Sequence, residues 1–78
     1  MGDMMSVAIY VNSKNGYNYL YSFGDNESEE QIKYEMENNL ESFKPICGYL
    51  VSISSGVSAS VETRLEEFMA DLFVKSWD

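Results

Sequence analysis

The sequence predicts an α+β fold: a two-layer sandwich of order β-β-α-β-α, with a three-stranded antiparallel sheet ordered 2-1-3 and two helices on one face. Three observations lead there. Residues 6–12 and 17–23 alternate in side-chain character on either side of a hairpin signal. A capping box then opens a stretch whose apolar residues recur at helical spacing. A third alternating stretch follows, and a second helical repeat after it. Its strand returns after a helix, so it runs parallel to the second strand and pairs beside the first. All 78 residues fit one domain, with no linker, repeat or low-complexity tract.

The first strand puts Val7, Ile9 and Val11 on one face. The second puts Tyr17, Tyr19, Tyr21 and Phe23 on one face. Loop length decides whether these rows meet. A two-residue Asn15-Gly16 loop sets Val11 opposite Leu20, and the aromatic row falls on the far side of the sheet. A three-residue Lys14-Asn15-Gly16 loop, with Gly16 left-handed, pairs Val11 with Tyr19, Ile9 with Tyr21 and Val7 with Phe23. A slip of one residue exchanges the faces. The register that gathers the large side chains is therefore the expected one.

Helix one opens at Ser28-Glu29-Glu30-Gln31, where the Ser takes the Gln amide and the Gln reaches back. Asn26 offers a rival cap half a turn earlier. Glu27, Glu29 and Glu30 suit the positive end of the helix. Ile32, Met36, Leu40 and Phe43 form its buried stripe, and Lys44-Pro45 ends it, because the residue before proline avoids helical angles. The third strand spans about residues 46–54. It turns Tyr49, Val51 and Ile53 inward and leaves Gly48, Leu50 and Ser52 on the other face. Ser54-Ser55-Gly56 turns the chain. Helix two starts from Ser58 or Ser60 and runs to about Trp77, with Val61, Leu65, Phe68 and Leu72 as its core stripe.

The chemistry for catalysis is sparse. The chain has no His, the commonest acid–base group. Cys47 is the sole Cys, lies inside a strand and reads as a buried or half-buried hydrophobe, not a nucleophile. One Cys cannot assemble a zinc site. Residues 25–30 are rich in oxygen ligands but lack the spacing and the central Gly of a calcium loop, and a helix cap explains them. Ser54-Ser55-Gly56 lacks the Lys of a phosphate cradle. No enzyme, metal or cofactor is expected. Without an internal disulfide or an apolar run of membrane length, the expected location is the reducing cytoplasm. The sequon Asn26-Glu27-Ser28 and the acylation-like start at residues 1–6 have no accompanying signal and read as incidental.

Charge points elsewhere. Thirteen Asp and Glu stand against five Lys and Arg, for a net charge of −8. Such a field repels nucleic acid and anionic membrane and attracts a basic protein surface. On helix one, Glu30, Tyr34, Glu37 and Glu41 lie opposite the core stripe, a ladder of carboxylates over roughly 16 Å of helix. On helix two, Met69, Phe73 and Trp77 repeat every four residues beside the core stripe. They read either as part of a wide core or as an apolar interface, for a homodimer or a partner groove. Tyr10, Leu20 and Leu50 look out from the open sheet face.

In size, charge and lack of catalytic groups, the chain resembles the small acidic inhibitors of phages and mobile elements: anti-CRISPR, anti-restriction and other DNA-mimic proteins. That likeness implies a non-catalytic inhibitor that lays Glu30, Tyr34, Glu37 and Glu41 onto the basic surface of a nucleic-acid-binding protein. A toxin-immunity protein, or an adaptor or homodimer subunit joined through apolar contacts, is the alternative.

Overall fold

The structure, a computed structural model, describes residues 6–24, 27–54 and 59–78. Strands β1 (Val7–Ser13), β2 (Asn18–Phe23) and β3 (Ile46–Ile53) form one sheet in the order β2-β1-β3, antiparallel throughout. The helices are α1 (Glu29–Asn38), α2 (Leu40–Phe43) and α3 (Ala59–Lys75). The rival cap Asn26, the acylation-like start, the turn at Ser55-Gly56 and the cap Ser58 involve residues 1–5, 25–26 and 55–58, which lie outside the described residues.

The hairpin takes the three-residue loop. Val11 faces Tyr19, Ile9 faces Tyr21 and Val7 faces Phe23. Gly16 has a φ of 96°, a conformation that a Cβ would strain. The Ser13 N–H donates to the Tyr17 carbonyl at 3.0 Å, and the Gly16 N–H donates back to Ser13 at 3.1 Å. Asn15 Oδ1 takes the Tyr17 amide at 2.9 Å, which fixes the turn from its own side chain.

Ser28 caps α1, its Oγ accepting from the Gln31 amide at 3.2 Å, although Gln31 does not reach back. The expected single helix is divided. Asn39 leaves helical geometry at φ −94° and ψ 3°, and its Nδ2 donates to the Glu35 carbonyl at 2.7 Å. A short amide side chain competing for the backbone is the physical reason. Beyond Asn39, α2 adds one turn and stops where Lys44 becomes extended before Pro45. The Lys44–Pro45 peptide is cis. Ile32, Met36 and Phe43 are buried as expected, and Leu40 packs at the margin.

β3 pairs Val11 with Tyr49 and Ile9 with Val51, then slips. Gly48 faces Asn12 but Ile46 faces Ser13, so Cys47 has no residue opposite it. Cys47 is exposed, contrary to its expected burial, because the bulge lifts it out of the alternation. The core joins Val7, Ile9, Val11, Phe23 and Val51 of the sheet to Ile32, Met36 and Phe43 and to α3. On α3 the buried residues are Leu65, Met69 and Leu72, continued by Ser76. Val61 and Phe68 are only partly buried. The helix is thus rotated from its expected setting, and Met69 belongs to the core, not to an interface. Ser60 lies inside the first turn of α3 and not ahead of it.

Candidate functional site

The three strands contain no charged residue. The helices carry nine carboxylates and three bases. Packing the apolar sheet against amphipathic helices therefore sorts charge by layer, with the acids on the helices' outer surface.

α1 and α3 lie side by side and run the same way. Glu29 meets Arg64, Lys33 sits over the Phe68 ring at 6.0 Å, and Glu37 comes within 3.9 Å of Lys75. The first of these contacts is a fork. Arg64 Nε donates to Glu29 Oε2 and its terminal nitrogen to Oε1, both at 2.8 Å. Lys33 adds a second contact at 3.3 Å. The Arg64 hydrogen bonds, with help from Lys33, hold the Glu29 carboxyl down at about 2, below its ordinary 4.5. Glu29 is therefore spoken for.

The expected acidic stripe is only partly intact. Glu30 and Tyr34 are exposed on α1, the Tyr at 65%. Glu37 is exposed but shares Lys75. Glu41 sits past the Asn39 break, on α2, and pairs with Lys44 at 3.1 Å. The structure brings in two acids that the single-helix reading missed. Glu67 and Asp71 of α3 line an open groove of about 280 Å³ with Lys33, Arg64 and Phe68. Their spacing of four marks one helix face, which could have singled them out. Among the described residues, Glu30, Glu67 and Asp71 enter no ion pair. No group of three or more potential metal ligands occurs among the described residues, and no helix there is long and apolar enough to cross a membrane.

The chain matches no family model, no curated protein and no solved structure.

The other surface is apolar and neutral. Tyr10 faces Leu20 across one ladder and Leu50 across the other, so the three form a row over the open sheet face. All three are exposed. Asn12, Asn18 and Gly48 flank the row on one side, and Ala8, Ser22 and Ser52 on the other. Round the β3 edge, the Phe73 ring packs on Tyr49 with centroids 6.1 Å apart, so only part of Phe73 remains available. Trp77 is 49% exposed yet held, its Nε1 donating to the Ile46 carbonyl at 2.7 Å. Lys14 lies over its ring at 5.4 Å. On the opposite edge, Tyr19 and Tyr21 pack against Phe43 with centroids 6.0 and 5.9 Å away. Burial, aided by Tyr19, raises the Tyr21 phenol above its ordinary pKa.

Proposed function

We propose that this protein is a non-catalytic inhibitor that binds the basic surface of a nucleic-acid-binding protein through its helix layer. One observation carries the reading: of the strands and helices, only the helices carry charge, nine carboxylates against three bases, while the strands carry none. A basic partner is drawn to one side of the molecule only. The contact is centred on Glu30, Tyr34 and Glu37, with Glu41 at one end and Glu67 and Asp71 across the groove. Tyr34 supplies a large, rigid ring with a polar tip for the desolvated centre of the contact. A basic toxin held by a cognate immunity protein would use the same chemistry, and the identity of the bound protein separates the two.

The test is capture of the partner from the native host, with elution followed by salt. Binding through exposed charges weakens as the Debye length falls from about 10 Å at 0.1 M to about 3 Å at 1 M. The captured protein is expected to be basic and to elute within that range. Changing Glu30, Glu37 and Glu41 together to Gln is expected to weaken binding about ten- to hundredfold, at about 0.5–1 kcal/mol for each exposed contact. Binding that ignores salt, or that survives the triple change, defeats the reading.

A further inference from the structure

The sheet ends in two unpaired edges, and the hydrogen-bond register shows which backbone groups each presents. The Ser13 N–H donates to the Tyr17 carbonyl at the hairpin end, and the Ser54 N–H donates to the Ser6 carbonyl at the far end of the other ladder. Antiparallel ladders alternate. Val7, Ile9, Val11 and Ser13 therefore turn their backbone groups toward β2, and Ala8, Tyr10 and Asn12 turn theirs toward β3. On β3, this directs the N–H and C=O of Gly48, Leu50 and Ser52 at β1, and those of Tyr49, Val51 and Ile53 at the free edge. Ile46 is closed off: its N–H donates to Ser76 Oγ at 2.9 Å and its carbonyl accepts from Trp77. The remaining outward groups, on Tyr49, Val51 and Ile53, meet no partner among the described residues.

Natural edges are commonly protected by charge, proline or an inward-pointing Lys. Apart from the bulge at Cys47, β3 has none of these from Ile46 to Ile53. Its flank is apolar, with Tyr49 and Leu50 exposed and Phe73 and Trp77 beside them.

We propose that the β3 edge pairs antiparallel with the β3 edge of a second copy, about a two-fold axis at Val51, to make a continuous six-stranded sheet. This register sets Val51 against its own mate and Tyr49 against Ile53, and it uses all the free edge groups of both copies. Alongside, α3 runs antiparallel to its mate. Phe73 lies near Tyr49 and Trp77 near Ile46, so the small Ala70 comes closest to the axis. Glu66 then faces the Phe73 side of the other copy, not its own mate.

Charge favours a second copy, and the register bounds the area it buries. A basic partner gains nothing from an uncharged edge, whereas two copies that each carry −8 repel least along strands that carry no charge, with Glu66 the acid nearest the seam. The residues 49–53 that this register pairs, at about 3.3 Å each, across a body 18–20 Å thick, give roughly 300 Å² per copy, or about 600 Å² in all. That is the area of a weak, concentration-dependent contact. The two-fold stands perpendicular to the sheet, so both helix layers lie on the same side and merge into one acidic surface. The inference is independent of the partner reading.

Sedimentation of the whole chain from about 5 to about 500 µM tests it, at low salt and near 0.5 M. A monomer–dimer equilibrium that tightens as salt rises is expected, the reverse of partner binding, so either idea can fail alone. Hydrogen exchange of the concentrated protein should protect the amides of Tyr49, Val51 and Ile53 and leave those of Asn18, Leu20 and Ser22 fast. Leu50→Lys should weaken the dimer at least about tenfold, while Leu20→Lys, equally exposed on β2, should not. Ser52→Lys repeats the test, should Leu50→Lys lose its native circular dichroism. A monomer throughout overturns the proposal. So does a dimer that protects the β2 amides or neither set, or one weakened equally by the Leu20 and Leu50 changes.

Discussion

Ser76 shows how much one small side chain can decide. It is 3% exposed, and its hydroxyl has two duties: it takes the Ile46 amide at 2.9 Å and gives to the Phe73 carbonyl at 2.7 Å. With Trp77 Nε1 on the Ile46 carbonyl, the end of α3 closes both backbone groups where β3 begins. Ser76→Ala leaves the Ile46 N–H buried with nothing to meet it, a loss of about 1–3 kcal/mol. Urea unfolding followed by the fluorescence of Trp77, the only Trp in the chain, should show it as a lowered midpoint at unchanged slope. An unchanged midpoint would mean that water replaces the hydroxyl. The sequence announces half of this clamp. Trp77 continues the four-residue repeat of Met69 and Phe73 and so asks for a partner, but the Ser beside it reads as ordinary surface. Cys47 was illegible for a related reason: alternation predicts which way a side chain points only while the ladder is regular, and the bulge at Asn12 and Ser13 breaks it.

Elements were legible in proportion to the discreteness of the choice. The hairpin allowed two registers, and only one united the aliphatic and aromatic rows, so Val11, Tyr19 and Gly16 fell where the sequence put them. The setting of α3 was a continuous choice. Apolar residues cover so wide an arc of it that a stripe through Phe68 and one through Met69 are equally regular, and contact with the sheet decides for Met69. Nor does a helical wheel show what joins two helices. The Arg64–Glu29 fork spans 35 positions and has no local signal. Its consequence is a pH dependence. The carboxyl of Glu29 is held at about 2 in the folded chain against an ordinary 4.5. Its contribution to stability is therefore complete above about 4.5 and disappears as pH falls from there toward 2. Arg64→Ala removes the larger part of that contribution, so the variant should unfold at lower urea than the parent at pH 7, and the two midpoints should draw together as pH falls from about 4.5 toward 2. A gap that stays constant across this range would show that Arg64 acts through packing of its stem on the groove and not through Glu29.

For the whole molecule, the count of acids was plain from the first line of sequence, and their distribution was not. It became visible only once the strands were fixed, because the absence of charge from three separate segments is a property of the sheet they build. The distribution has an energetic consequence that a uniform surface would lack. Nine carboxylates lie in one layer of a body whose longest dimension is 42 Å. At 0.01 M salt the Debye length is about 30 Å, so nearly every pair of them repels; at 0.1 M it is about 10 Å, and only neighbours do. Screening also weakens the contacts of Glu29, Glu37 and Glu41 with their bases. Those contacts are few and short-ranged, however, while the repulsions are many and long-ranged, so the net effect of salt should be to stabilise. Relief of about 1 kcal/mol corresponds to a rise in Tm of about 4–8 °C for a domain of this size. Scanning calorimetry on protein dilute enough to be monomeric, between about 0.01 and 0.3 M sodium chloride, should show a rise of that order. Glu67→Gln with Asp71→Asn should reduce the rise, since it removes two acids that form no ion pair in the structure and leaves the bases in place. If Tm instead falls with salt, the few ion pairs outweigh the crowding of the helix layer, and its excess charge is not held there against an energetic cost.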